Sequence, residues 1–195
     1  EYDALNKISW IKGSDYKIRL SAASSGYQSV LPLSLITRFL SDLVLDNANK
    51  EDLSIKEKKQ IEKEVNKVMN DKSLTDGVKF AMLRNISSRF KYSCFVNIVE
   101  EMELNLYPES QRSVLFDLLS YANKIELNRL VLTTHSPYVI NYLTLAAKAF
   151  LLTQKISANE TLQERIKEVV PADSAIDPAR LRIYELKDGG VFRLS

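Results

Sequence analysis

The sequence predicts an α/β fold in which parallel strands are flanked by helices, with an inserted helical arm and a C-terminal β-hairpin. Three observations carry this. Two short apolar runs, residues 94–99 and 130–134, are each followed by a helix-periodic segment, the strand–helix–strand–helix order of parallel βαβ units. Ahead of them lies a charged stretch whose apolar residues recur at helical spacing. The final residues alternate about the turn signal Asp188-Gly189-Gly190.

The elements follow in order. Residues 7–22 read as a hairpin: Ile8 and Trp10 alternate with polar neighbours, Gly13-Ser14-Asp15 is a turn signal, and Tyr16, Ile18 and Leu20 alternate again. The small, polar stretch 21–29 precedes an apolar helix over about residues 30–45, with Pro32 near its first turn, where proline is tolerated. Residues 51–72 form a charged helix with Ser54 and Glu57 as a capping box. Ile61, Val65, Val68 and Met69 give it one apolar stripe. Its six lysines and six acids cancel, so a solvated face is the main reading and DNA contact the lesser one. A further helix covers about residues 76–90.

The strand over 94–99, broken only by Asn97, runs into Glu100-Glu101-Met102-Glu103. Pro108 opens a helix to about residue 124. The strand over 130–134 ends at His135-Ser136-Pro137, and Ser136 as cap with Pro137 at the first helical position starts a helix to about residue 152. Residues 153–179 are polar and read as a short helix plus loop. Leu181, Ile183 and Tyr184, then residues 191–194, flank the closing turn.

Composition narrows the function classes. The 195 residues carry 27 Lys and Arg against 25 Asp and Glu, a net charge of +2, which argues against a polybasic nucleic-acid coat. One cysteine, Cys94, excludes an internal disulfide and a thiolate zinc cage, and one histidine, His135, excludes a His-rich metal site. No apolar run approaches the ~18 residues of a membrane helix, and no secretory signal is visible, so the expected compartment is the cytoplasm, without a membrane partner.

Three constellations carry chemistry. Glu100, Glu101 and Glu103 follow a buried strand, at the carboxyl edge where open α/β sheets bind ligands. If the strand continues, Glu100 and Glu101 point to opposite faces and have different roles: a hard oxygen ligand for Mg²⁺, and a carboxylate that orients water or takes its proton. The plainer reading is a solvated, Glu-rich turn. His135 repeats this placement at the second strand; alone, a histidine at a helix start reads as structural. Ser24-Ser25-Gly26-Tyr27-Gln28 opens a helix, where free N–H groups and the helix dipole favour an anion. A capped helix with a glycine turn is the plainer account there.

In this order the three motifs resemble the second half of an ABC-type, P-loop NTPase-like ATPase head, in particular the OLD-family and SMC-like ATPases of bacterial defence systems. Residues 24–28 match the signature loop, 96–101 the Walker B strand, 104–108 the D-loop region, and 131–137 the strand and switch histidine. The resemblance covers roughly residues 16–150. It implies that Glu100 holds Mg²⁺, that Glu101 polarises the attacking water, and that His135 contacts the γ-phosphate. It also implies that Ser24, Ser25, Gly26 and Gln28 bind, in trans, the ATP held by a second subunit. ATP would join two heads as a homodimer, and hydrolysis would release them.

The resemblance thus implies ATP and Mg²⁺ as cofactors. The implied partners are a second copy, an effector nuclease or toxin, and DNA. No Gly-x-x-x-x-Gly-Lys-Ser/Thr loop occurs among the five glycines. The expectation is therefore that residues 1–195 are the carboxyl-terminal part of the ATPase domain, completed by an upstream Walker A portion. Residues 46–91 are expected as a helical insertion, because Gln28 and Glu100 stand 100 − 28 = 72 residues apart, many more than in compact heads. Met102 stands where the family has Pro, Asn105 and Tyr107 replace residues that are often His, and Asn97 interrupts Walker B. Two alternatives remain: a nucleotide-sensing clamp that barely turns over, and a metal-dependent nuclease built from Glu100, Glu101 and Glu103.

Overall fold

The computed structural model describes residues 1–49, 55–71, 73–89, 93–156 and 159–194. It is a mixed α/β structure. Strands β1 (Tyr2–Asp3), β2 (Ile8–Lys12) and β3 (Lys17–Arg19) form an antiparallel sheet in that order. The expected hairpin is present, with β1 as a third strand. Leu20 departs from its expected place, because it opens a 3-10 turn, Leu20–Ala22, instead of extending the strand.

Helix α1 (Ser25–Asn49) begins earlier than its apolar pattern does. Its first N–H bond runs from Gln28 to the carbonyl of Ser24. Pro32 therefore sits inside the helix and not in its first turn. Proline has no N–H to return to the carbonyl four residues back, which costs about 3 kcal/mol in a helix interior. The small polar residues 25–29 start the helix all the same. Over Ser25–Asp46 this helix has a mean hydropathy of 1.2, so by length and composition it could cross a membrane, although polar residues interrupt its apolar run. In the fold it packs against the helix over Pro108–Asn123.

Helices α2 (Ile55–Asn70) and α3 (Asp76–Arg89) pack on each other. Ile61, Val65 and Val68 are the half-buried stripe of α2, as their spacing predicts, but Met69, expected in the same stripe, is exposed. The proposed cap Ser54 lies outside the described residues, as do Glu51, Asp52, Lys72 and Phe90.

The centre is one βαβ unit. Strand β4 (Val96–Glu100), helix α4 (Pro108–Asn123) and strand β5 (Arg129–Thr133) are followed by helix α5 (Pro137–Lys155). The strands are parallel, with Val96 opposite Arg129 and Glu100 opposite Thr133. Their inward side chains, Val99, Leu130 and Leu132, join a core built from Val114, Leu115, Leu118 and Leu119 of α4 and Val139, Leu143, Ala146 and Ala149 of α5. Val30 and Leu33 bring α1 onto the same core. The opposite face is bare: Ile98 is 67% exposed, and Val96 and Val131 beside it are also exposed. Parallel strands are ordinarily covered on both faces.

Asn128 fixes the start of this pairing. Its Oδ1 accepts the N–H of Phe95 (3.1 Å), its Nδ2 donates to the carbonyl of Tyr121 (3.2 Å), and the N–H of Arg129 donates to the carbonyl of Phe95 (3.0 Å). Helix α6 (Glu160–Val169) is capped by Asn159, whose side chain accepts the N–H of Leu162. A 3-10 turn, Ala172–Ser174, is tied to α4 by Ser174 Oγ donating to the carbonyl of Phe116 (2.8 Å). Strands β6 (Ile183–Lys187) and β7 (Gly190–Leu194) form the closing hairpin. Its two-residue loop puts Asp188 and Gly189 at φ 51° and 75°, the left-handed pair that such a tight turn demands.

Two measurements check this packing. Leu115 is fully buried (0% exposed). Leu115→Ala is expected to lower the unfolding free energy by about 2–5 kcal/mol, seen as a lower denaturant midpoint at unchanged slope. On α4, burial first and the charge of Asp173 second hold the Asp117 carboxyl above its ordinary value. The folded chain therefore favours protonated Asp117. Its favourable contribution is complete in acid and is lost as pH rises through the ordinary aspartate range towards the raised folded value. Asp117→Asn is expected to melt higher than the parent at neutral pH and to lose that advantage in acid.

Candidate functional site

The site is built where β4 and β5 end together. Glu100, the last residue of β4, is exposed and stands opposite Thr133. The chain then leaves the sheet at Glu101, whose φ is 46°. The two glutamates are therefore not alternating strand residues, and the condition for their pointing to opposite faces, a strand that continues through both, is not met. A non-glycine residue in the left-handed region costs on the order of 1–3 kcal/mol and persists only where its surroundings fix it. Here the Glu101 N–H donates to both the carbonyl (3.0 Å) and the Oγ1 (3.2 Å) of Thr133, and its own carbonyl accepts the N–H of Leu104 (3.0 Å).

That bend carries the Glu101 side chain to the tip of β5, where its Oε1 stands 3.4 Å from Nε2 of His135. The imidazole is 88% exposed and the Glu101 carboxylate 41%, so both face solvent at the carboxyl edge of the sheet. The backbone of His135 is held from the other side: its N–H donates to Oε1 of Glu103 (2.6 Å). Ser136 occupies the cap position of α5, but its side chain makes no cap bond. Its Oγ instead donates to Oε1 of the buried Gln111 (2.6 Å), whose Nε2 donates to the carbonyl of Leu106 (3.0 Å). The capping role expected of Ser136 is corrected on that ground.

The loop at the start of α1 meets the same region. A Cβ on Gly26 would stand 3.0 Å from the carbonyl oxygen of Asn105 and 3.3 Å from Cδ2 of Leu106, so glycine allows α1 to start against the turn after Glu101. Ser24 and Ser25 are exposed beside it. Gln28 is also exposed, but its amide turns back and donates to the carbonyls of Ala23 (2.8 Å) and Ser21 (3.4 Å). It braces its own loop.

The structure thus brings together Glu101 and His135, with Glu100 at the same strand tip and Gly26 against the adjoining turn. Sequence reasoning missed Thr133 and Gln111, because each acts through a contact distant in the chain. Glu103 was singled out only as part of an acidic run. Mg²⁺ takes one or two carboxylates from a protein when phosphate and water complete its shell, and the exposed Glu100 at the strand tip can supply one. Among the described residues no three His, Cys, Asp or Glu side chains gather closely enough to hold a metal by themselves. A cavity of about 340 Å³ lies between the far end of α5 and α6, lined by residues such as Phe150, Ile166 and Val170. It is apolar and remote from the strand tips.

No protein-family model matches this chain, and no curated protein or solved structure matches it either.

The close approach at Gly26 has a measurable consequence. Gly26→Val is expected to push the turn at residues 105–106 away and cost about 1–3 kcal/mol of stability. Gly26→Ala is expected to cost less, because a neighbour 3.0 Å away need yield only a few tenths of an ångström. Thermal melts of the two variants beside the parent read the difference.

Proposed function

We propose that this chain is the carboxyl-terminal lobe of an ABC-type ATPase head that dimerises around ATP and gates a DNA-linked or anti-phage effector in the cytoplasm. The observation that carries this reading is the 3.4 Å approach of Glu101 and His135 at adjacent parallel strand tips. Residues so distant in sequence meet there with chemistry suited to one phosphate. The exposed Ser24–Ser25 loop at the start of α1 supports a contact from a second subunit. The bare face of β4 and β5, with Val96, Ile98 and Val131 exposed, supports a further layer carrying the Walker A loop.

In this reading the labour divides among the residues at the strand tips. Glu101 is placed to accept a hydrogen bond from the attacking water and draw its proton, which sharpens its attack on the γ-phosphate. His135, exposed and beside that carboxylate, is placed to donate to a γ-phosphate oxygen and stabilise charge as the bond breaks. Glu100 would hold Mg²⁺, which when bound neutralises charge on the phosphates. Ser25 and the N–H groups opening α1 would receive the γ-phosphate from the opposite head.

With the Walker A segment supplied, Glu101→Gln is expected to lower steady-state phosphate release by on the order of 100-fold or more, while ATP still brings two heads together. Phosphate release and light scattering on the same samples separate the two effects. Unchanged turnover would overturn the assignment of Glu101. Release near background in the parent, with dimerisation intact, would make the chain a sensing clamp.

A further inference from the structure

We propose that Glu103 is a positioning residue that sets His135 against Glu101 by gripping its main chain. The inference rests on the ATPase reading for its purpose, but its geometry stands apart from it. The imidazole of His135 is 88% exposed, so its place is set by its backbone. The last rung of the parallel ladder joins Glu100 to Thr133, and His135 lies two residues beyond it. Past that rung, the bond from the His135 N–H to Glu103 Oε1 ties the two strand-tip turns together across 32 residues of sequence. At 2.6 Å to a carboxylate it is short for an N–H···O bond, as charge-assisted bonds are.

Glu103 is itself held firmly. Met102 before it is buried in the core, and the Glu103 carbonyl accepts the N–H of Leu106 (3.0 Å). Its second oxygen, Oε2, is enclosed and has no hydrogen-bond partner among the described residues. An enclosed, unpaired carboxylate oxygen costs stability. A glutamate serving only the fold would do better in solvent, so the position is better explained by what Oε1 holds. Gln111 grips the next residue, Ser136, and the carbonyl of Leu106, which leaves His135 between two fixed points. Glu103 supplies the one that acts on His135 directly. Because Glu101 and Glu103 share one turn, the carboxylate that meets the imidazole and the carboxylate that places it move together.

The test compares Glu103→Ala, Glu103→Asp and Glu103→Gln. The chain holds one histidine, so a sample carrying only ¹⁵N-histidine gives a single backbone amide signal, that of His135. Its hydrogen exchange is measured beside that of the β4–β5 ladder amides in a uniformly ¹⁵N-labelled sample, with kcat and KM for ATP determined in the assembly that turns over. Glu103→Gln keeps an acceptor oxygen and is expected to keep the His135 amide protected and most of the turnover. Glu103→Asp, one methylene shorter, and Glu103→Ala are expected to speed exchange of that amide at least tenfold while the ladder amides stay protected. They are also expected to lower kcat by on the order of 10- to 100-fold with little change in KM. His135 exchange unchanged in Glu103→Ala and Glu103→Asp overturns the proposal, as does equal loss of turnover in Glu103→Gln and Glu103→Ala. If exchange behaves as expected but the parent releases no phosphate, the grip on His135 stands and the ATPase reading falls.

Discussion

The parallel register of β4 and β5 is the constraint on which the rest of the structure depends. A parallel pair has no tight turn to set its alignment, so other contacts must do so. Here both ends are pinned by side chains. Asn128 clamps the amino ends by accepting from Phe95, and Thr133 clamps the carboxyl ends by accepting from Glu101. A slip of one residue would turn either Val99 of β4 or Leu130 and Leu132 of β5 out of the core and would also separate Glu101 from His135. Packing and the candidate site therefore select the same alignment.

Beyond the last rung, the structure spends stability to gain geometry. Glu101 lies in the left-handed region, Glu103 keeps an unpaired oxygen enclosed, and Pro32 sits inside α1. Only the first two converge on the strand tips, and there each unfavourable feature aims a group. The bend at Glu101 turns a carboxylate towards β5, and the enclosed Glu103 holds the backbone beneath the imidazole. Sites where local rules are broken while the surroundings fix the result are where function concentrates.

What was legible in the sequence was whatever repeats locally. The strands at residues 96–100 and 129–133, the helices that Pro108 and Pro137 open, and the closing hairpin lie close to where periodicity and turn signals put them. The edge on which Glu100, Glu101 and His135 fall followed from strand order. Contacts remote in sequence were illegible. Nothing in the pattern told that Ser136 would give up its cap for Gln111, since the two meet only once the crossover has folded. Helix α1 starts at Ser25 because Gly26 lets it abut the turn at Asn105, a closeness that no apolar periodicity records.

Asn97 shows how an apparent flaw in a local pattern becomes a tie in the whole. As the one polar residue of the apolar run 94–99, it interrupts the pattern of a buried strand. In the fold its Nδ2 donates to Oγ1 of Thr37 (2.9 Å), a residue of α1 that is only 1% exposed, across 60 residues of sequence. A buried polar pair contributes little net stability, but breaking it is costly, so it selects one orientation of its two elements. The elements it joins are the strand that ends in Glu100, just before Glu101, and the helix that begins at Ser25 and Gly26. An aliphatic residue at position 97 would bury as well, yet it would leave α1 free to slide along the sheet and carry its amino end away from the turn at Asn105. The polar interruption thus ties α1 to β4 at one place, which a purely apolar contact, being non-directional, does not.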